Sequence, residues 1–217
     1  GTPKTSWTQL QTNANAGATT IDVVAGNNWK VGDKIVIASS RTRWQEAEER
    51  TITAVQNLAG GAKRLTVAAL QFPHKGVTIP YSGNGKTWTA DLRAEVGMLS
   101  HNIKIQGDAS SEGDNGFGAH TMVMMGCMTY ISNTELYLMG QKLEMGRYPI
   151  HWHLLADDGN GQYVENSSIH KSFNRAITIH GTHGTRVDNN VCNDHIGHGL
   201  FLEDGAEENN LIRGNLL

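Results

Sequence analysis

An all-β fold is predicted for this 217-residue chain by three observations. Short runs rich in Val, Ile and Thr alternate with turns, amphipathic helical periodicity is nearly absent, and the second half of the chain repeats at a regular spacing. The composition agrees with this class, because 25 Gly and 18 Asn residues suit turns while only 18% of the residues are charged. We therefore expect a small β domain followed by a parallel β-helix.

The first half of the chain contains the strand-like runs. Gly-Asn, Val-Gly-Asp and Gly-Gly turns separate these runs, which recur about every 14 residues. Trp29 stands in one of the turns, and we expect its ring to fill the core of the domain. The four predicted strand regions are residues 19–26, 33–40, 49–57 and 63–70.

The second half contains the repeat. Residues 164–170, 187–193 and 212–217 align at offsets of 23 and 25 residues. A β-helix coil takes a little over 20 residues, and each coil buries its apolar positions on the next. Asn166 of the sequon Asn166-Ser167-Ser168 should stack on Asn189 in an internal ladder, because Asn tolerates the left-handed turn conformation. The chain begins without Met and ends at the start of a coil, so we expect a fragment of a longer protein with further domains.

The same alignment predicts where the histidines lie. Seven of the ten His residues follow residue 150. Aligning residues 148–151, 176–180 and 199–203 places an aliphatic column in the core and the next column on the outer face, because strand side chains alternate between faces. The core column is Ile150, Ile179 and Leu202. The outer column is His151, His180 and Glu203.

Other polar side chains are expected near this outer column. Stacked coils are about 4.8 Å apart, so titratable groups in one column come close together. For any single His, a satisfied surface or core position is the simplest interpretation, but a whole column has no obvious structural role. The residues predicted on or beside the face are His153, Arg175 and His198, with Arg147 one residue out of phase, His183 in a flanking turn, and Asp204.

Four sequence runs resemble one protein family. They are LRAEVGMLSHNIKIQGD (92–108), MGQKLEMGRYPIHWHL (139–154), SSIHKSFNRAITIHGTHG (167–184) and DHIGHGLFLEDGAEENN (194–210). The chain resembles the family of the cell-migration-inducing hyaluronan-binding protein, transmembrane protein 2 and the fibrocystins. The resemblance implies a glycine-eight-like domain at residues 1–95, sandwich-like or roll-like, packed on the first coils of a right-handed parallel β-helix at residues 96–217. It also implies an extracellular or cell-surface location.

The resemblance implies hyaluronan binding and depolymerisation in the first two relatives, whereas the fibrocystins share the architecture without an established polysaccharide-cleaving role. An acidic polysaccharide presents carboxylates that Arg side chains can clamp, while His and carboxyl groups can transfer protons. A lyase, a hydrolase and a non-catalytic adhesion module all remain open. The predicted catalytic residues are His151, His180, Glu203 and Arg175. The predicted substrate-binding residues are Arg147, His153, His183, His198, Asp204 and Arg93, of which Arg93 can instead form an ion pair at the domain junction.

A divalent metal is a further expectation. His151-x-His153 gives two ligands on one strand face, and His180 and Glu203 complete a set suited to zinc. Calcium would instead prefer oxygen ligands, which Glu203, Asp204, Glu207 and Glu208 offer. The metal can also serve only to hold the β-helix together.

Charge and hydropathy exclude other classes. The net charge of -3, without a basic aromatic strip, argues against nucleic-acid binding. No apolar run reaches the roughly 18 residues of a membrane span. Cys127 and Cys192 are expected to be separate buried thiols, with one disulfide between them as the alternative.

Overall fold

The structure is a computed structural model that describes residues 2–112 and 116–217. Short β-strands dominate it, and the predicted all-β class is confirmed. No helix in the described part of the chain is long and apolar enough to cross a membrane. The helical segments found there are 3-10 turns at Trp44–Glu46, Ala59–Gly61, Ala109–Ser111 and Asp157–Gly159.

Contacts within the chain define two compact units, and the first is Thr2–Met98. Its strands are β1 (Trp7–Gln9), β2 (Thr20–Val23), β3 (Lys34–Ile37), β4 (Glu48–Thr51), β5 (Ala54–Asn57), β6 (Lys63–Thr66), β7 (Thr78–Gly83), β8 (Lys86–Asp91) and β9 (Glu95–Met98). They form two antiparallel sheets, ordered β1-β9-β3-β4 and β2-β6-β5, and the hairpin β7-β8.

Alternation of side chains explains how these strands pack. In β2, Ile21 and Val23 are buried, while Asp22 faces Arg64 of β6 and accepts hydrogen bonds from its guanidinium. Trp29 is buried in the core of the unit and its indole N–H donates to the carbonyl of Thr5, as expected for a core residue.

The boundary between the units lies between Met98 and Leu99, three residues beyond the predicted limit at residue 95. The reason is that Glu95–Met98 forms β9, which pairs with β1 and β3 of the first unit. Residues 96–98 therefore belong to the first unit and not to the β-helix.

The second unit, Leu99–Leu217, is a parallel β-helix. Its strands are β10 (Ile103–Gln106), β11 (Tyr130–Ser132), β12 (Thr134–Tyr137), β13 (Ile150–Ala156), β14 (Tyr163–Glu165), β15 (Ser168–Ser172), β16 (Ile177–Thr182), β17 (Arg186–Asp188), β18 (Val191–His195), β19 (Leu200–Leu202) and β20 (Leu211–Arg213). They form three parallel sheets, ordered β10-β12-β15-β18, β11-β14-β17-β20 and β13-β16-β19.

The predicted repeat is confirmed by the strand register. Val164 pairs with Val187, and Val187 pairs with Ile212, at the offsets of 23 and 25 residues seen in the sequence. The valines are fully buried, and burying one such side chain stabilises the fold by about 1.5–3 kcal/mol. Stacking of coils thus provides the core that no single coil could form.

Asparagines form the predicted ladder at the turns. The Asn189 side-chain amide donates to the Asn166 side-chain carbonyl at 2.7 Å. Both residues have left-handed backbones, with φ of 49° and 58° for Asn166 and Asn189. A second ladder joins Asn190, fully buried, to Asn215 one coil further on.

The two cysteines are separate thiols, as predicted. Cys192 is buried in the β-helix core, and burial raises its pKa to about 12. Cys127 is exposed, contrary to the prediction, because the apolar run around it forms a surface turn in which Met124, Met125 and Met128 are also exposed.

Candidate functional site

The candidate site lies on the outer face of the sheet formed by β13, β16 and β19. His151 and His153 stand two residues apart on β13, so they share a face. His180 stands on β16, and Glu203 directly follows β19. Three successive coils therefore contribute the side chains that meet here.

The register of β13 differs from the predicted register by two residues. His153, not His151, pairs with His180, while His151 pairs with Thr178. Ile150 accordingly pairs with Ile177, and Trp152 takes the predicted place of Ile150 opposite Ile179. A shift of two residues preserves the face on which a side chain lies, so all three histidines still share the outer face.

The three imidazoles form a compact cluster. Nδ1 of His153 lies 3.1 Å from Nδ1 of His180. The His151 ring stacks on the His180 ring with centroids 5.9 Å apart, and the His153 ring stands edge-on to both at 4.9 Å. One nitrogen of each ring lies within 4.8 Å of the others. The three rings are therefore close enough to bind one ligand together without a change of fold.

His151 is buried, although it lies on the outward face. Only 1% of the residue is exposed, because Gly146 and the Tyr148 ring lie over it. Its Nδ1 lies 3.0 Å from the Gly146 carbonyl, which can only accept, so Nδ1 carries the proton and Nε2 has the lone pair. Burial lowers the pKa of His151 to about 4, although the bond to Gly146 opposes this shift. His151 is therefore neutral at physiological pH.

Glu203 is held by two donors. Nη1 of Arg175 lies 3.2 Å and the Tyr148 hydroxyl 3.3 Å from its Oε1, and Arg175 also donates to that hydroxyl at 2.9 Å. The guanidinium stacks on the Phe201 ring, 3.7 Å from its centroid. Arg175 and Glu203 keep 24% and 16% of their side-chain surfaces exposed, so solutes can reach the pair.

A second carboxylate reaches the cluster. Nδ1 of His180 lies 3.8 Å from Oε2 of Glu203, and its Nε2 lies 3.4 Å from Oδ1 of Asp204. Strand alternation would send Glu203 and Asp204 to opposite faces, but β19 ends at Leu202 and both residues lie beyond it. The imidazole of His180 is thus placed between two carboxylates.

The remaining predicted residues lie outside this cluster. Arg147 is exposed and donates to Nε2 of His120 at 2.8 Å. His183 accepts from the backbone N–H of Glu208, and His198 is exposed with its ring against Phe201. Arg93 belongs to the first unit, where it pairs with Asp91.

Tyr148 and Gly146 are the contributors that the sequence did not reveal. With the observed register, Tyr148 stands opposite Arg175, which explains their hydrogen bond. The sequence alignment matched the pair Ile150-His151 with the pair Ile179-His180. Aligning Ile150 with Ile177 instead would have placed Tyr148 opposite Arg175. Gly146 acts through its carbonyl and a left-handed φ of 80°, and no side-chain pattern signals that role.

The fold and the site define a class, namely a parallel β-helix protein with histidine, arginine and carboxylate groups clustered on an outer face. Residues 116–217 match the family model of the CEMIP β-helix. This match, together with the relatives below, confirms the resemblance predicted from the sequence.

Curated relatives extend the likeness to most of the chain. Fibrocystin-L of Mus musculus is 35% identical over 97% of this chain, which covers 6% of that protein. Cell surface hyaluronidase CEMIP2 of Homo sapiens is 38% identical over 88% of this chain, which covers 14% of it. A G8 domain-containing protein of Dictyostelium discoideum is 35% identical over 97% of this chain, which covers 13% of it. These relatives agree with the predicted extracellular or cell-surface location.

Proposed function

We propose that this chain binds and cleaves an acidic polysaccharide of the hyaluronan class at the outer face of β13, β16 and β19. The observation that carries the proposal is the convergence of Arg175, Glu203 and His180, each partly exposed, at one point of that face. Support comes from two relatives, in Homo sapiens and Danio rerio, that are named cell surface hyaluronidases.

Arg175 is the proposed clamp for a uronate carboxylate. A guanidinium has five N–H donors, so Arg175 can hold Glu203 and still pair with a sugar carboxylate. Its stacking on Phe201 fixes the plane of the guanidinium before substrate arrives. Pre-orientation of this kind reduces the entropy lost on binding.

The proton-transfer groups are proposed to be His180, Glu203 and Asp204. Hydrolysis uses two carboxyl groups about 5–10 Å apart across the bond, whereas elimination uses a base and a cation beside the uronate. The site offers groups for either route, since two carboxylates flank His180 and Arg175 supplies a cation. Products that carry an unsaturated uronate, detected by ultraviolet absorbance, would identify elimination.

A size assay on hyaluronan tests the proposal. We expect the chain to shorten the polymer, and His180→Ala and Glu203→Gln to lower the rate at least about 100-fold, the usual effect of losing a proton-transfer or charge-stabilising group. Glu144→Gln is the matched control for Glu203→Gln, because Glu144 is an exposed carboxylate of the same unit outside the cluster. Circular dichroism verifies that each variant is folded. Full activity in both cluster variants would refute the site.

Recognition without cleavage is the second candidate. It is favoured by the 35% identity to fibrocystin-L over 97% of the chain, because that relative is not named for an activity. This function predicts that hyaluronan binds without being shortened and that Glu203→Gln retains binding. The same size assay, combined with a binding titration, separates the two functions.

A further inference from the structure

We propose that His151, His153, His180 and Glu203 form a site for a single zinc-type divalent transition-metal ion. The inference depends on the geometry of the four side chains alone. It shares His180 and Glu203 with the proposed function, and these two residues would hold the ion instead of transferring protons when it is bound. The structure now indicates which atom of each residue would face the ion.

The distances between candidate ligand atoms approach those of a coordination sphere. A tetrahedral zinc ion with Zn–N bonds of 2.0–2.1 Å places its ligand atoms about 3.3 Å apart. The Nδ1 atoms of His153 and His180 lie 3.1 Å apart, and Oε2 of Glu203 lies 3.8 Å from the latter. The three histidine nitrogens lie within 4.8 Å of one another, so the rings can approach one ion from neighbouring positions.

Two buried polar atoms of the cluster have no hydrogen-bond partner among the described residues. They are Nε2 of His151 and Oε2 of Glu203. His151 is only 1% exposed, so water does not readily reach its Nε2 to donate a hydrogen bond. Leaving a buried acceptor unsatisfied destabilises a fold, and such atoms are rare in folded proteins. A metal ion between them would satisfy both.

The surrounding groups orient each ligand toward the proposed ion. The Gly146 carbonyl takes the Nδ1 proton of His151, which leaves Nε2 as the donor atom. Asp204 lies 3.4 Å from Nε2 of His180, which favours the tautomer with a lone pair on Nδ1. Tyr148 and Arg175 hold Oε1 of Glu203 and leave Oε2 available. Outer hydrogen bonds of this kind are typical of metal sites.

The donor types select the metal. Three imidazoles and one carboxylate suit Zn²⁺ and related first-row ions, whereas Ca²⁺ requires six to eight oxygen ligands. Glu207, predicted as a possible calcium ligand, instead accepts backbone hydrogen bonds from Gly181 and Asp204. The structure therefore favours zinc over calcium.

Calorimetric titration of the metal-stripped 217-residue chain with ZnCl₂ tests the inference. We expect one saturable site in the wild type, and no comparable binding of CaCl₂ at the same concentration. His153→Ala and His180→Ala should weaken zinc binding more than the roughly 10- to 100-fold typical of losing an outer partner. Glu203→Gln serves as a third ligand variant. Because it preserves the shape of the side chain, it should disturb folding less than the two alanine variants.

His198→Ala is the control, since it also removes one histidine but lies outside the cluster. It should bind zinc as the wild type does. No saturable binding by the wild type, or equal affinities for His180→Ala and His198→Ala, would overturn the proposed metal site. The titration contains no polysaccharide, so intact zinc binding without hyaluronan cleavage would overturn the proposed function alone.

Discussion

At the scale of single residues, hydrogen bonding of Tyr148 determines the geometry of the site. This side chain is 1% exposed, and its hydroxyl accepts from Arg175 and donates to Glu203. One phenol thus joins residues from two other coils. Replacing it leaves the guanidinium and the carboxylate with one bond fewer each.

Tyr148→Phe should therefore lower the free energy of unfolding by about 1.5–3 kcal/mol, the usual contribution of a hydrogen bond to a charged group. Urea denaturation measures this change. Tyr81→Phe is the matched control, because Tyr81 is 64% exposed and lies in the first unit. Equal stability of the two variants would contradict the assigned role of the Tyr148 hydroxyl.

The sequence predicted the face of the site but not its closest contacts. Alternation alone places His151, His153 and His180 together, and a register error of two residues leaves that result unchanged. Because of the same error, the sequence did not predict that Tyr148 pairs with Arg175. Burial of His151 was also missed, because it depends on how Gly146 and Tyr148 cover the ring.

At the scale of elements, one coil is longer than the next. Ile150 and Ile177 are 27 residues apart, whereas Ile177 and Leu200 are 23 apart. The extra residues lie in the bulge after His153 and the 3-10 turn Asp157–Gly159, where the backbone of Ala156 has a φ of 48°. A repeat search finds the constant offset between β14 and β17, but an insertion inside one coil shifts the register locally.

A buried ion-pair network ties β10, β12 and β15 together. Glu135 on β12 is 4% exposed and lies 3.0 Å from Lys104 and 3.1 Å from His170. Burial by itself would raise the pKa of Glu135, but the hydrogen bonds from His170 and Lys104 outweigh it and lower the pKa to about 2. The ionised carboxylate is thus the form that stabilises the fold.

The stability of the β-helix should accordingly depend on pH. Because the folded pKa of Glu135 is below its ordinary 4.5, its contribution of about 3 kcal/mol is complete above pH 4.5 and is lost as the pH falls toward 2. Urea denaturation at several pH values measures this loss. Glu135→Gln should flatten the dependence in that window, whereas Glu144→Gln, at an exposed position, should not. An unchanged profile in Glu135→Gln would contradict the network.

At the scale of the whole molecule, the three clustered histidines and the Arg175–Glu203 pair belong to one unit. His151, His153, His180, Arg175 and Glu203 lie in Leu99–Leu217, which has a hydrophobic core separate from that of Thr2–Met98. The site therefore depends on the stacking of three coils. The chain covers 6–14% of the fibrocystin-L and CEMIP2 relatives, so the proposed activity concerns this portion of such a protein.

The central claim is that an acidic polysaccharide meets the chain at the histidine cluster. Nuclear magnetic resonance of the imidazole C–H signals, during titration with a hyaluronan oligosaccharide, tests this claim most directly. The account predicts saturable shifts for His153 and His180 and none for the buried His74 and His170, which pair with Glu48 and Glu135 away from the cluster. Unchanged signals from His153 and His180 at saturation, or shifts only at His74 and His170, would contradict it.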